Sequence, residues 1–152
     1  MTVGEICRRK LVTVREMDEL TAAARLMRIE HIGHIVVVEP DPALQGAAKP
    51  VGVVTDRDIV VSVVARGADP HALRVGDVMT PHPLVAQESS SVAWALRQMR
   101  RIGVRRLPVV DLAEHLVGVL SLDNVLDALA AELLNVAGSI RNERRMESQM
   151  RP

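Results

Sequence analysis

Two short stretches of this chain carry residue types that could hold a polar ligand, and each is a near copy of the other. Gly52-Val53-Val54-Thr55-Asp56-Arg57-Asp58 recurs as Gly118-Val119-Leu120-Ser121-Leu122-Asp123-Asn124. Glycine admits close backbone approach, two aliphatic residues build a buried strand, and a hydroxyl residue opens the helix that follows. Thr55 and Asp58 stand at capping-box spacing, where each side chain accepts a hydrogen bond from the other residue's backbone N–H. Taken alone, that box is a helix-starting device. Its place argues for more. It sits at the carboxyl end of a strand, where open α/β sheets bind ligands, and helix-terminal N–H groups lie beside a hydroxyl and a carboxylate. It also recurs in register, which an accidental cap has no reason to do.

No other constellation points to bond-breaking chemistry. His31 and His34 are three apart but lack a cysteine or acidic partner at ligand spacing, so no metal site is expected. Ser89-Ser90-Ser91 reads as helix-capping material, with no residue placed to activate a nucleophile. Cys7 is the single cysteine and has no evident base beside it. Its solitude also rules out an internal disulfide and suits a reducing compartment. The run Arg97, Arg100, Arg101, Arg105, Arg106 is mostly a solvated helix face, with Arg105 or Arg106 able to meet a phosphate.

The elements that position these residues come from a duplication. Shifted by 72, Val3-Gly4-Glu5-Ile6 meets Val75-Gly76-Asp77-Val78, Met27-Arg28 meets Met99-Arg100, and Val37-Val38 meets Val109-Val110. Beyond that the shift is 66, because the loop Glu39 to Lys49 is longer than its counterpart Asp111 to His115. Each copy predicts a short strand (Leu11 to Val14; Leu84 to Ala86), then an amphipathic helix carrying Leu20, Ala23, Ala24, Met27 or Val92, Ala95, Leu96, Met99. Asp18 and Ser89 or Ser90 are the expected N-caps. Strands over His34 to Glu39 and Arg106 to Asp111 follow, then Val51 to Val54 and Leu116 to Leu120. A closing helix runs from Asp56 to about Arg66, stopped by Gly67, and from Asp123 to at least Ala137. The fold class is α/β (α+β): two β-α-β-β-α units whose valine-rich strands face each other sheet to sheet. The expected units are 1–67 and 75–137, joined by a linker at 68–74 and followed by a charged tail, 138–152, that frays at its end.

Composition narrows the function. The 152 residues are 48% hydrophobic, yet there is no Phe or Tyr and one Trp, so the core is aliphatic. Nineteen basic residues balance nineteen acidic ones, which supplies no general attraction to nucleic acid or anionic membrane. No apolar run approaches the roughly 20 residues of a membrane span, and the first residues lack a secretory leader's charged and apolar regions. A cytoplasmic location is expected.

A tandem β-α-β-β-α unit with this strand–helix junction resembles the cystathionine β-synthase (CBS) domain pair, or Bateman module, of the stand-alone bacterial type. Val75-Gly76-Asp77-Val78-Met79-Thr80-Pro81, Arg106-Leu107-Pro108-Val109-Val110-Asp111 and Gly52 to Ile59 carry the likeness, over about residues 3–137. The resemblance implies a non-catalytic regulatory module with clefts between its copies for AMP, ADP, ATP, NAD or S-adenosylmethionine. In that family Asp58 would accept from ribose hydroxyls, and Thr55 and Ser121 would touch ribose or phosphate. His34, Arg105 and Arg106 would stand near phosphate, and Val14, Ile35 and Leu107 would wall the adenine. Carboxylates accept well from paired hydroxyls, and Arg forks fit phosphate oxygens. Asn124 departs from the family's Asp, so the Asp58 cleft is expected to be the tighter. No cofactor is required, and the expected partners are an adenine nucleotide and a second copy in a homodimer. The alternative is a ligand-free scaffold with the same fold.

Overall fold

In the computed structural model, which describes residues 1–150, the two repeats become two small sheets flanked by helices. The first sheet has β1 (Thr13–Val14), β2 (His34–Pro40), β3 (Ala48–Thr55) and β4 (Thr80–Pro81), side by side in that order. The second has β5 (Ala86–Gln87), β6 (Arg106–Val110) and β7 (Leu116–Ser121). β1 runs parallel to β2 and β5 to β6, β3 runs antiparallel to β2 and β7 to β6, and β4 adds antiparallel to β3 at the edge of the first sheet. Helices α2 (Leu20–Glu30) and α4 (Val92–Ile102) connect the parallel pairs. After β3 come α3 (Asp56–Ile59) and a π-helical turn, Val60–Val64, and after β7 comes α5 (Leu122–Met150). A four-residue helix, α1 (Val3–Ile6), opens the chain.

Register places the chemistry. His34 pairs with Thr55 across β2 and β3, and Arg106 pairs with Ser121 across β6 and β7. Each middle strand therefore begins with a polar residue beside the last residue of its neighbour. From Ile35 to Val38 every side chain is buried, as a strand covered on both faces requires. Ile35 and Val37 join one core with Leu20, Ala23, Met27 and Val63, while Leu107 and Val109 join the other with Val92, Ala95, Met99 and Leu120.

The two cores do not follow the contiguous division of the chain. Val3 and Cys7 pack into the core of the second repeat, and Val75 packs into the core of the first. The exchange is symmetric at the hydrogen-bond level. Val3 N–H donates to the Ser90 carbonyl at 2.8 Å and Gly4 N–H to that of Glu88 at 2.9 Å. Their counterparts, Val75 and Gly76, donate to Asp18 and Glu16 at 2.9 Å each. Arg8 bridges Val119 as Thr80 pairs with Val53. Each repeat thus borrows its opening segment from the other, which joins the two units covalently and through both sheets.

Three local expectations are corrected. The N-cap of α2 is Glu19, because the Asp18 carboxylate accepts from Arg15 N–H at 2.7 Å and stabilises the preceding turn instead. The N-cap of α4 is Ser91, whose Oγ accepts from Trp94 N–H at 3.2 Å. The tail does not fray within the described residues, since α5 continues as one helix to Met150. Arg151 and Pro152 lie outside them. No helix among the described residues is long and apolar enough to cross a membrane.

Candidate functional site

Both strand–helix junctions form the box that their sequence predicts. Thr55 N–H donates to Asp58 Oδ2 at 2.9 Å, and Asp58 N–H donates to Thr55 Oγ1 at 3.1 Å. At the second junction Ser121 N–H donates to Asn124 Oδ1 at 3.1 Å, and Asn124 N–H to Ser121 Oγ at 3.2 Å. Ser121 Oγ donates as well to Asn124 Oδ1, at 2.9 Å. Two donors converge on that amide oxygen, which fixes the orientation of the amide. The group left over is the Nδ2 donor, whereas Asp58 retains a second carboxylate oxygen as an acceptor. The two junctions are alike in shape and opposite in hydrogen-bonding sense.

A cleft of about 300 Å³ opens between the two repeats on the side of the second junction. Ser121, Asp123 and Asn124 form one side, with Val119 of β7 and Arg106 at the start of β6. The first repeat supplies the other side: Leu11 and Val12 ahead of β1, His31, Ile32 and Gly33 between α2 and β2, then His34 and Val36. The exchanged N-terminal segment adds Arg8 and Lys10. Of the expected site residues, the cleft brings together His34, Arg106, Ser121 and Asn124. Thr55 and Asp58 are half-buried at the other junction and do not line it.

Three expected wall residues are elsewhere. Val14, Ile35 and Leu107 face the cores, with at most 8% of their surface exposed, and have no face to offer a ring. The walls are Leu11, Val12 and Ile32 instead. Arg105 is exposed and enters only through its backbone, its carbonyl accepting from Leu122 N–H at 3.0 Å. Gly33 does the same for Asp56 N–H at 3.1 Å.

The charged groups lining the cleft carry a small positive excess. Arg8, Lys10 and Arg106 face Glu30 and Asp123, three cations against two carboxylates. Lys10 pairs with Glu30 at 3.2 Å, and Arg8 and Arg106 have no ion pair among the described residues. Burial, and then the Arg106 guanidinium, push His34 down to about 4, so its imidazole is neutral at pH 7. Neutral His34 can accept or donate one hydrogen bond toward the cleft without adding charge. Arg8 and Lys10 were not anticipated as site residues, because a contiguous reading leaves residues 1–10 with the first repeat. The 72-residue shift that sets Arg8 on Thr80 was their only signal.

Comparison with known proteins agrees with this architecture. The CBS domain model matches residues 3–65 and again residues 75–131. Hypoxic response protein 1 of Mycobacterium tuberculosis is 33% identical over 121 residues, which is 79% of each chain. An uncharacterized protein of Methanopyrus kandleri, MK0525, is 31% identical over 126 residues, and the match spans 83% of this chain but 61% of that one. The crystal structure of CBSX2 in complex with AMP superposes with a TM-score of 0.70 at 29% identity, covering 86% of this chain and 96% of the other. With two matched copies of the domain and a structure that overlays a solved pair, the chain belongs to the CBS domain family, as a tandem pair.

Proposed function

We infer that this CBS pair is a non-catalytic regulatory module that binds an adenosine nucleotide in the cleft between its repeats. The observation that carries the inference is the convergence of two unpaired guanidinium groups, Arg8 and Arg106, on a cleft with a hydroxyl–amide junction and aliphatic walls. Arg8, Lys10 and Arg106 take the phosphate, Ser121 and Asn124 the ribose, and Leu11, Val12 and Ile32 the adenine. The likeness to CBSX2 bound to AMP supports the ligand class. By the internal symmetry a second site lies at the Thr55–Asp58 junction, with Asp58 as ribose acceptor and Arg105 near phosphate. No nucleophile–base pair lines the cleft, so the ligand leaves unchanged, ATP and S-adenosylmethionine included. Ligand binding acts by shifting the module's affinity for a regulated protein in the cytoplasm.

The module works as a homodimer. Val60, Val61 and Val64 on the turn after α3 and Leu126, Leu129 and Leu133 on α5 are each about half exposed or more, an apolar surface that is costly to leave in water. A ligand-free scaffold is the second reading, favoured by Asn124, whose neutral amide has its oxygen already committed to the cap.

Titration calorimetry with AMP, ATP and unphosphorylated adenosine separates the two. AMP should bind tighter than adenosine, and Arg106→Ala should erase most of that difference, a charge-assisted hydrogen bond contributing about 1.5–3 kcal/mol. Absence of binding by all three would leave the scaffold reading. Equal affinity for AMP and adenosine would remove the phosphate assignment.

A further inference from the structure

The family match ends at residue 131, but α5 continues to Met150. Among the described residues of this helix only Val125 is buried. Leu126, Leu129, Leu133, Val136 and Ile140 recur at alternating steps of three and four, and each is between 47% and 70% exposed. That spacing is a coiled-coil seam, with Leu134, also exposed, beside it. The charges along the helix are segregated. Asp123, Asp127 and Glu132 are its charged residues before position 141, and Arg141, Arg144 and Arg145 follow, with Glu143 and Glu147 among them.

We propose that the seam is occupied by α5 of a second copy lying antiparallel, as a two-stranded coiled coil. The inference rests on the homodimer reading and specifies its geometry. In the register that layers the seam, Leu133 faces the partner's Val136, Leu129 faces the partner's Ile140, and Leu126 faces the partner's Glu143. Ala130 then lies beside the partner's Ala137, where two methyl groups permit a close approach. Asp123 lies beside the partner's Arg144, and the acidic first half of each helix runs along a second half whose three arginines outnumber its two glutamates. A parallel pair would do the reverse, stacking Glu143 on the partner's Glu143 and Glu147 on the partner's Glu147 within the seam. An anionic membrane is a poor occupant. The first nineteen residues of the helix carry acidic charges without a basic one, which an anionic surface repels. Asp123 also lines the cleft, so dimer contact and ligand share a residue.

Disulfide mapping with sedimentation equilibrium tests the register in the full chain. The double variant Leu126→Cys with Glu143→Cys should form a covalent dimer on oxidation, linked between position 126 and the partner's position 143, and neither single variant should. Leu133→Glu, at an exposed position, should weaken the dimer by about tenfold or more with an unchanged circular-dichroism spectrum. A covalent dimer from Leu126→Cys alone indicates parallel helices and overturns the proposal. A wild-type dimer that yields no link between 126 and the partner's 143 overturns it too, while leaving the homodimer in place. A wild-type monomer at micromolar concentration overturns both, as does monomeric protein that binds phosphatidylserine vesicles through α5. AMP affinity, measured on the same samples, reports the ligand reading independently.

Discussion

Asn124 carries two duties, and its amide divides them. The oxygen closes the helix cap and leaves the nitrogen as the remaining donor of a cleft-lining residue, where Asp58 at the equivalent junction keeps a second carboxylate oxygen. A hydrogen bond to a charged group contributes about 1.5–3 kcal/mol and a neutral one about 0.5–1.5 kcal/mol, and a difference near 1.4 kcal/mol is tenfold in affinity. Asn124→Asp should therefore raise the affinity of its cleft for adenosine by about tenfold. Asp58→Asn should lower the affinity of the other site by a similar factor, with the cap kept. Calorimetry on both variants checks the pair, and an Asp58→Asn protein that binds like wild type leaves Asp58 as a cap alone. Thr55, Asp58, Ser121 and Asn124 were legible because a capping box has a fixed spacing. Val14, Ile35 and Leu107 are buried in the two cores, which the sequence resemblance alone does not reveal. Adjacent residues in a strand point to opposite faces, so Ile35 enters the core while His34 reaches the cleft.

At the scale of elements, the exchanged N-terminal segments depend on bare backbone at two glycines. A Cβ on Gly118 would lie 2.6 Å from Cys7 Sγ and 3.2 Å from the Arg8 carbonyl oxygen. A Cβ on Gly52 would meet the Met79 sulfur, with the Thr80 carbonyl oxygen at 3.3 Å. Met79 has three rotatable bonds and can swing aside, whereas buried Cys7 has one. Gly118→Ala should thus cost roughly 1–3 kcal/mol and Gly52→Ala less, the range for overpacking a tight site. Urea denaturation of the two variants measures the order, and equal costs would mean that side-chain adaptability does not decide it. The strands and amphipathic helices were legible from their periodicity, and their ends were set by hydrogen bonds that periodicity does not encode. Asp18 looks like a cap in sequence and caps a turn in space. The length of α5 escaped because residues 138–150 are polar on most faces and gain their helix from continuity with the segment before, which raises no hydrophobic signal.

Among the described residues the repeats meet at the exchanged segments, at the contact of β3 with β7, and at the two hairpin loops. At the loops His115 Nε2 and Asp41 Oδ2 are 2.8 Å apart, and that hydrogen bond, more than any other influence, holds the Asp41 carboxyl below its ordinary range. His34 sits at the centre, beside the cleft, and its depressed pKa makes the assembly sensitive to acid. Above its ordinary pKa of 6.5 the imidazole is neutral both folded and unfolded, and its full contribution to stability is present. As the pH falls from 6.5 to about 4 the unfolded chain takes up the proton first, so stability declines through that window. The slope approaches, and through solvent screening stays below, about 1.4 kcal/mol per pH unit. His34→Gln should flatten that part of the stability curve and leave the carboxylate-driven loss below pH 4 intact. The same proton reports on the ligand. A phosphate on Arg106 would offset part of the positive field that disfavours imidazolium, so saturating AMP should raise the His34 pKa and adenosine should raise it less. Following the His34 ring protons by NMR across this pH range decides it. An unchanged titration with AMP bound at the cleft would separate the phosphate from Arg106.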